Sequence, residues 1–206
     1  MKVPAVPDFL ASELENRSFT DSLFHIIPVP FEQSVSYGAG TRDGPRAILH
    51  ASQQLEAWDG QSIPLELGIH TSNFIDCSGT AEEILQNIKR RTTLTLEAGK
   101  MPVLLGGEHT VTLGALQAVT AFLDKPVGLF QLDAHADLRD SYDGTRYSHA
   151  CVARRAHAEL DMVLYQFGVR ALSRAEALYR RAHNIAHLDA KAFQHCSPAD
   201  ITLPPD

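Results

Sequence analysis

Long apolar runs are missing from this sequence of 206 residues. No stretch approaches the roughly 18 to 20 consecutive apolar residues that a membrane-spanning helix needs. The first residues, MKVPAVPDFLASELENRS, also lack the apolar core and the cleavage site of a signal peptide. We therefore expect no membrane partner, and we expect the protein to be cytoplasmic.

Cysteine is also scarce, and its pattern argues against a disulfide framework. The three residues, Cys77, Cys151 and Cys196, form no C-x-x-C motif and leave an odd number. A few unpaired cysteines are typical of proteins from a reducing compartment. We predict that all three thiols are reduced and serve as packing residues.

Blocks of like charge are absent too. The 18 basic and 25 acidic side chains are dispersed along the chain and give a formal net charge of -7. An acidic balance disfavours binding to polyanions, so we expect a small-molecule substrate and no nucleic-acid partner. Apolar residues make up 44% of the sequence, which has no internal repeat or low-complexity linker. We therefore predict a single domain over residues 1–206.

Apolar, strand-like runs alternate with amphipathic segments along the chain. The predicted strands are 24–30, 63–70, 74–77, 101–107, 126–133, 161–170 and 185–189, and the predicted helices are 45–58, 81–99, 110–124, 148–160 and 173–183. Thr80 and Glu83 have the spacing of a capping box for the helix at 81–99. Because the strands are nearly all apolar, we predict a three-layer α/β/α fold with a mainly parallel sheet covered on both faces.

A polar motif follows the strand predicted at 126–133. Asp133, His135 and Asp137 occupy alternate positions in the stretch QLDAHADLRD. Alternate side chains of an extended segment point to the same face, so we expect these three to converge. Two carboxylates and a neutral imidazole suit a divalent metal ion, although such a motif also occurs by chance in polar loops.

A second polar pair follows the strand predicted at 101–107, where Glu108 and His109 come directly after two glycines. The carboxyl ends of parallel strands gather ligands at one edge of a sheet. We expect His109 near the N-terminus of the next helix, whose dipole favours a neutral ring able to bind metal. Imidazoles with carboxylates suit Mn, Fe, Zn or Ni, and the share of carboxylate favours Mn.

His149, in the stretch YSHAC, is the third candidate. It follows the same polar loop and begins a predicted helix, so it is expected near the same edge of the sheet. A histidine there suits proton transfer. An exposed residue in the first turn of a helix is the alternative interpretation.

Four segments in order resemble the ureohydrolase family, which includes agmatinase and arginase. LLGGEHTVTLG (104–114), LDAHADLRD (132–140) and SHACVARR (148–155) are similar to three of its signature blocks. IPVPFEQSVSYGAGTRDGPRAI (27–48) resembles its first strand and glycine-rich loop. The resemblance covers nearly the whole chain and implies an arginase-like α/β fold.

The resemblance also implies a hydrolase with two Mn²⁺ ions that cleaves a guanidino group to give urea and an amine. His109, Asp133 and Asp137 would hold one ion, while His135 and a bridging oxygen of Asp133 would hold the other. His149 matches a histidine proposed to pass a proton to the leaving amine. Such a metal centre is chemically reasonable, because metal binding lowers the pKa of water from about 15.7 to about 7. Relatives suggest a homo-oligomer, a trimer or a hexamer.

The substrate depends on the loop LRDSYDGTRYSH, which lacks the asparagine that arginase-like relatives have at this point. The loop looks more like that of agmatinase, which converts agmatine to putrescine and urea in polyamine biosynthesis. A guanidino acid such as guanidinobutyrate, or arginine itself, stays open, because Arg139 or Arg146 could pair with a carboxylate. Two solvated loop arginines are the alternative.

One family block, Ser-x-Asp-x-Asp-x-x-Asp-Pro, does not occur in the sequence. Asp189 and Asp200 are poor substitutes, because neither has an acidic residue two positions away. Two divalent ions bring four positive charges, and Asp133 and Asp137 return only two negative ones. We therefore expect an N-terminal portion of an agmatinase-like enzyme, incomplete at its C-terminus.

Two other classes stay open. The first is a non-catalytic, ureohydrolase-like protein with a partial metal site. The second is a metal-dependent deacetylase of similar architecture, against which LGGEHTVTLG and GAGTRDGPRAI argue.

Overall fold

The computed structural model describes residues 5–14 and 17–195. The predictions for Cys196 and Asp200 lie outside these described residues. The chain divides into two compact units, Met1–Phe122 and Leu123–Asp206. A single domain over the whole chain stays a prediction. Among the described residues, no helix has both the length and the apolar character needed to cross a membrane.

The first unit contains a parallel sheet of three strands. These are β1 (Phe24–Val29), β2 (Ile69–Thr71) and β3 (Met101–Gly106), in the order β2-β1-β3. Its helices are α1 (Gly44–Ala51), α2 (Ala81–Glu97) and α3 (Val111–Leu123). Apolar residues of the central strand and of α2 supply much of the core: Ile26, Ile27, Val29, Ile84, Leu85 and Ile88.

The capping box predicted for α2 is confirmed. The Thr80 hydroxyl accepts a hydrogen bond from the backbone N–H of Glu83, and the Glu83 carboxylate accepts one from the backbone N–H of Thr80. These bonds satisfy two N–H groups that would lack partners at the helix start. The helix therefore begins where the sequence indicated, and it packs on β1 and β3.

The second unit also contains a parallel sheet of three strands. These are β4 (Gly128–Leu132), β5 (Val163–Phe167) and β6 (Ala186–Leu188), in the order β4-β5-β6. Its helices are α4 (Val152–Leu160), α5 (Arg174–Ala182) and α6 (Ala190–Phe193). The predicted α/β fold with parallel strands is therefore confirmed, because every strand pairing in the two sheets is parallel.

One predicted strand was too long, and another does not form. Pro64–Leu67 forms a 3-10 helix, so the strand predicted from residue 63 is reduced to β2. Pro64 has no N–H for a sheet ladder, and Gly68 follows with a φ of 74°, a backbone angle that breaks an extended run. No strand forms at 74–77.

The first helix is shorter than predicted. It ends at Ala51, a 3-10 turn covers Ser52–Gln54, and Leu55 is extended. The Ser52 hydroxyl donates to the carbonyl of Leu49 at 2.8 Å. Serine side chains compete in this way for the backbone groups that a continuing helix would use.

The prediction that both faces of each strand are covered was wrong for β4. Phe130 and Leu132, on one face, are 49% and 76% exposed. Gln131, which points to the opposite face, is buried. The apolar composition of this strand therefore did not reveal which face is covered in the second unit.

Candidate metal centre

Asp133 and Asp137 lie in the loop that follows β4, in the second unit. A carboxylate oxygen of Asp133 and one of Asp137 lie within 4.8 Å of each other. Alternation along a strand does not cause this approach, because β4 ends at Leu132 and Asp137 has a φ of 50°. The expected convergence of the two aspartates is present, but it occurs in an irregular loop with a bend at Ala134.

His135 lies beside Asp133 at the solvent side of this loop. Its backbone N–H donates to Asp133 Oδ1 at 2.8 Å, and its Nδ1 lies 3.5 Å from the same oxygen. The imidazole is 66% exposed. The three side chains of the motif therefore include a buried carboxylate at Asp137 and an accessible ring at His135.

His109 belongs to the first unit and follows the end of β3. It is half-buried, and its carbonyl accepts a hydrogen bond from the backbone N–H of Thr112 at 3.0 Å. This bond belongs to the turn that leads into α3. The predicted place of His109 at the start of that helix is confirmed.

Glu108 has a structural position that the sequence did not reveal. Its buried carboxylate accepts hydrogen bonds from the backbone N–H and the hydroxyl of Ser34, both at 2.8 Å. It also accepts from the backbone N–H of Gln33 at 3.2 Å and from the hydroxyl of Thr110 at 3.2 Å. Glu108 therefore ties the glycine-rich loop after β1 to the end of β3.

His149 is the first residue of a short 3-10 helix, His149–Cys151, that leads into α4. The ring is half-buried, with Nδ1 3.3 Å from the Ser148 hydroxyl and an edge-to-face contact to Tyr142 at 5.8 Å. The position at a helix start is as predicted. The proposed proton transfer stays a prediction.

The two loop arginines both have partners inside the second unit. The Nε of Arg139 lies 3.9 Å from a carboxylate oxygen of Glu176, and its guanidinium lies 4.9 Å from the centre of the Tyr142 ring. Arg146 donates to Glu159, and the bond to this carboxylate raises the pKa of Arg146. Both side chains are also exposed, at 42% and 51%, so the alternative of two solvated loop arginines stays open.

The donor set of the loop fits a metal ion. Two carboxylate oxygens that share an ion at about 2.0 to 2.2 Å are at most about 4.4 Å apart, so those of Asp133 and Asp137 need at most a small shift. Asp189 is engaged elsewhere, because its carboxylate accepts hydrogen bonds from Arg180 Nη1 at 2.8 and 3.2 Å. This pairing agrees with the prediction that Asp189 is a poor metal ligand.

The two described cysteines have the properties of packing residues. Burial, with a contribution from Asp76, raises the pKa of the Cys77 thiol to about 11. Burial also raises the pKa of the Cys151 thiol. Thiols with raised pKa values are weak nucleophiles at neutral pH.

The sequence and the fold match known proteins. The model of the Arginase family matches residues 22–202. The N(1)-aminopropylagmatine ureohydrolase of Synechocystis is 35% identical over 185 residues, which are 86% of this chain and 60% of that protein. The agmatinase of Pyrococcus horikoshii is 31% identical over 195 residues, 92% of this chain and 66% of that protein.

A solved structure, the agmatine ureohydrolase of Thermoplasma volcanium, superposes with a TM-score of 0.79 at 27% identity, over 94% of this chain and 64% of that chain. The chain thus spans about 60 to 66% of the length of the two curated relatives.

Proposed function

The chain belongs to the arginase family, and from that premise we propose that it is a hydrolase with two Mn²⁺ ions that releases urea from a guanidino amine. The observation that carries the proposal is the approach of the Asp133 and Asp137 carboxylates, within 4.8 Å, in a loop with His135 beside them. Members of this family act on small molecules, which agrees with the acidic composition of the chain.

We assign the metal ligands residue by residue from the family motif. His109, Asp133 and Asp137 would hold one ion, and His135 with a second oxygen of Asp133 would hold the other. Carboxylates and imidazoles are suitable ligands for Mn²⁺. When bound, the ions supply a strongly nucleophilic water at neutral pH.

The chain's own residues would orient the substrate and move a proton. Cleavage of the guanidino C–N bond leaves a nitrogen that must gain a proton before it departs as an amine. We propose that the His149 imidazole donates it, because imidazoles exchange protons near neutral pH. The contacts of His149 with Ser148 and Tyr142 would fix the direction of the ring.

The substrate we propose is agmatine, with putrescine and urea as products. Glu176 and Glu159 already balance part of the charge of Arg139 and Arg146, which reduces the attraction of these two side chains for a substrate carboxylate. This favours a guanidino amine over arginine or a guanidino acid. N(1)-aminopropylagmatine is the second candidate, because the Synechocystis relative at 35% identity carries that name.

Competing substrates at equal concentration decide between these candidates. Urea release with Mn²⁺ is measured for agmatine, N(1)-aminopropylagmatine, guanidinobutyrate and arginine. We expect either guanidino amine to exceed both acids in kcat/KM. A higher value for arginine would contradict the proposed substrate class. A protein that binds no Mn²⁺ would favour the non-catalytic alternative.

Replacing His135 with alanine tests the second metal ligand set. We predict that His135→Ala abolishes Mn²⁺-dependent urea release, because its imidazole would be the nitrogen ligand assigned to one ion. His50→Ala, at an exposed position of α1, is the matched control and should keep full activity. Retained turnover in His135→Ala would refute the assignment.

Replacing His149 with phenylalanine tests the proton transfer. We predict that His149→Phe keeps its metal content, measured by elemental analysis, and loses about 10²- to 10⁴-fold in kcat, the range typical of general acid–base groups. Loss of metal in parallel with activity would instead make His149 a ligand.

We also propose a single domain in a cytoplasmic homo-oligomer, a trimer or a hexamer. Light scattering coupled to size-exclusion chromatography tests this assembly directly. A monomer at micromolar concentration would contradict it.

A further inference from the structure

A network of buried polar side chains lies next to the loop that carries Asp133 and Asp137. Its members are Gln131 on β4, Gln166 on β5 and Arg180 on α5, which are 6%, 0% and 4% exposed. Gln131 and Gln166 are direct partners in the parallel register of the two strands. Buried polar groups are costly unless they are hydrogen-bonded, so the bonds of these three residues indicate what they do.

Gln166 is at the centre of this network. Its Nε2 donates to the carbonyl of Ala136 and to Oε1 of Gln131, both at 2.6 Å. Its Oε1 accepts from Arg180 Nε at 3.2 Å and from Nη2 at 2.9 Å. A longer contact of 3.4 Å runs from Gln131 Nε2 to the carbonyl of His135. All hydrogen-bonding groups of the Gln166 amide are used.

Arg180 fixes the orientation of this amide. A guanidinium only donates hydrogen bonds, so the side chain of Gln166 must turn its oxygen toward Arg180 and its nitrogen toward Ala136. The charge of Arg180 is balanced by Asp189 at 2.8 Å. A paired buried cation is stable where an unpaired one would be costly. With Arg180 held by Asp189, the N–H groups of Gln166 point toward the loop.

The loop held in this way contains a left-handed backbone angle. Asp137 has a φ of 50°, a region that is uncommon for residues other than glycine but is open to aspartate. Gln166 binds the carbonyl of the residue before Asp137, and Glu176 accepts from the backbone N–H of Leu138, the residue after it, at 3.0 Å. Both neighbours of Asp137 are thus bound by buried side chains.

We propose that Gln166 is a positioning residue for the metal centre: its bond to the Ala136 carbonyl holds Asp137 where its carboxylate meets that of Asp133. This inference rests on the proposed function, since it assumes that the two carboxylates bind Mn²⁺. Residues that support metal ligands from outside the ligand set typically contribute 10- to 100-fold in metal affinity. We expect an effect of this size for Gln166.

Gln166→Glu is the sharpest test. The variant keeps acceptors for Arg180 but has no N–H for the Ala136 carbonyl. Mn²⁺ affinity is measured from the spin-resonance signal of free Mn²⁺ during titration of the metal-free protein, and folding is measured by thermal unfolding. We expect a 10- to 100-fold weaker affinity. The unfolding temperature should also fall, because a carboxylate oxygen then faces the Ala136 carbonyl and Gln131 Oε1 in place of two N–H donors. Affinity is therefore measured at a temperature where the variant is folded. The weakening is expected even though the substitution adds a negative charge near the site.

Two further variants separate positioning from stability. Gln166→Leu removes both functions and should weaken Mn²⁺ binding at least as much, with a lower unfolding temperature because Arg180 loses two hydrogen bonds. Leu164→Ala removes a buried side chain from the same strand that has no hydrogen-bonding group. It should lower the unfolding temperature and change Mn²⁺ affinity less than threefold at a temperature where it is folded.

The outcomes are distinct. Wild-type affinity in Gln166→Glu would overturn the positioning role and leave the proposed function standing. Equal weakening in Leu164→Ala would also overturn it, because lost stability would then explain the effect. Absence of Mn²⁺ binding in the wild-type protein would overturn the proposed function and this inference together.

Discussion

Replacement of Glu108 by alanine should release the glycine-rich loop from the end of β3. The Glu108 carboxylate accepts four hydrogen bonds, from the backbone N–H groups of Gln33 and Ser34 and from the hydroxyls of Ser34 and Thr110. The alanine variant removes this shared acceptor. The Thr110 side chain is fully buried, and the loop donors are partly buried.

The expected loss follows from these bonds. Loss of a hydrogen bond to a charged group costs about 1.5 to 3 kcal/mol. Water can reach the partly buried loop donors after truncation, so the four costs do not add in full. We predict that Glu108→Ala lowers the free energy of unfolding by about 3 to 5 kcal/mol. Glu108→Gln keeps one acceptor and should lose about 1 to 2 kcal/mol.

Urea unfolding at equilibrium measures both losses. Glu56→Ala, at an exposed position, is the matched control and should stay within about 0.5 kcal/mol of the wild type. Amide hydrogen exchange adds a local measurement, since the N–H of Ser34 should exchange faster in Glu108→Ala. A loss below about 1 kcal/mol in Glu108→Ala, with slow exchange at Ser34, would refute the structural role of this carboxylate.

Two other predictions concern the same loop. In Gly107→Ala, the added Cβ would lie 2.0 Å from the carbonyl oxygen of Phe31, so we predict a loss above about 3 kcal/mol in urea unfolding; Gly128→Ala, with its nearest atom at 3.9 Å, should change little. Hydrogen bonds to the Glu32 carboxylate lower its pKa from 4.5 to about 2, and the backbone N–H of Arg42 makes the largest contribution. Its stabilising contribution is therefore present above about pH 4.5 and is lost as the pH falls toward 2. Carboxyl NMR titration should give a midpoint of about 2 for Glu32. The unfolding of Glu32→Gln should lack this pH dependence. A midpoint near 4.5 would contradict the prediction.

The order of strands and helices could be predicted because it depends on local patterns. Apolar runs, the Thr80 capping box and Pro45 at the start of α1 act within a few residues of themselves. The end of α1 could not be predicted, because the Ser52 hydroxyl competes with the helix in a way that composition does not indicate. The covered face of β4 depends on packing between distant segments.

The motif that we propose as a metal site was visible in the sequence, but the side chains that hold its loop were not. Asp133, His135 and Asp137 lie within five residues, whereas Gln166 acts on the carbonyl of Ala136 from 30 residues away. One signal was present. The strands GLFQL and VLYQF each place a glutamine at the fourth position of an apolar run, and these glutamines pair in the sheet. A polar residue at matching positions of two apolar strands indicates a buried network.

The most direct test of the proposed metal-dependent activity is urea release from agmatine and N(1)-aminopropylagmatine by the protein purified from its own cells, with and without added Mn²⁺. Asp137→Asn is assayed beside Asp143→Asn, which alters an exposed aspartate of the following loop. We predict Mn²⁺-dependent urea release in the wild type and in Asp143→Asn, and its loss in Asp137→Asn. Absence of urea from a wild-type protein that has bound Mn²⁺, or full activity in Asp137→Asn, would contradict the account.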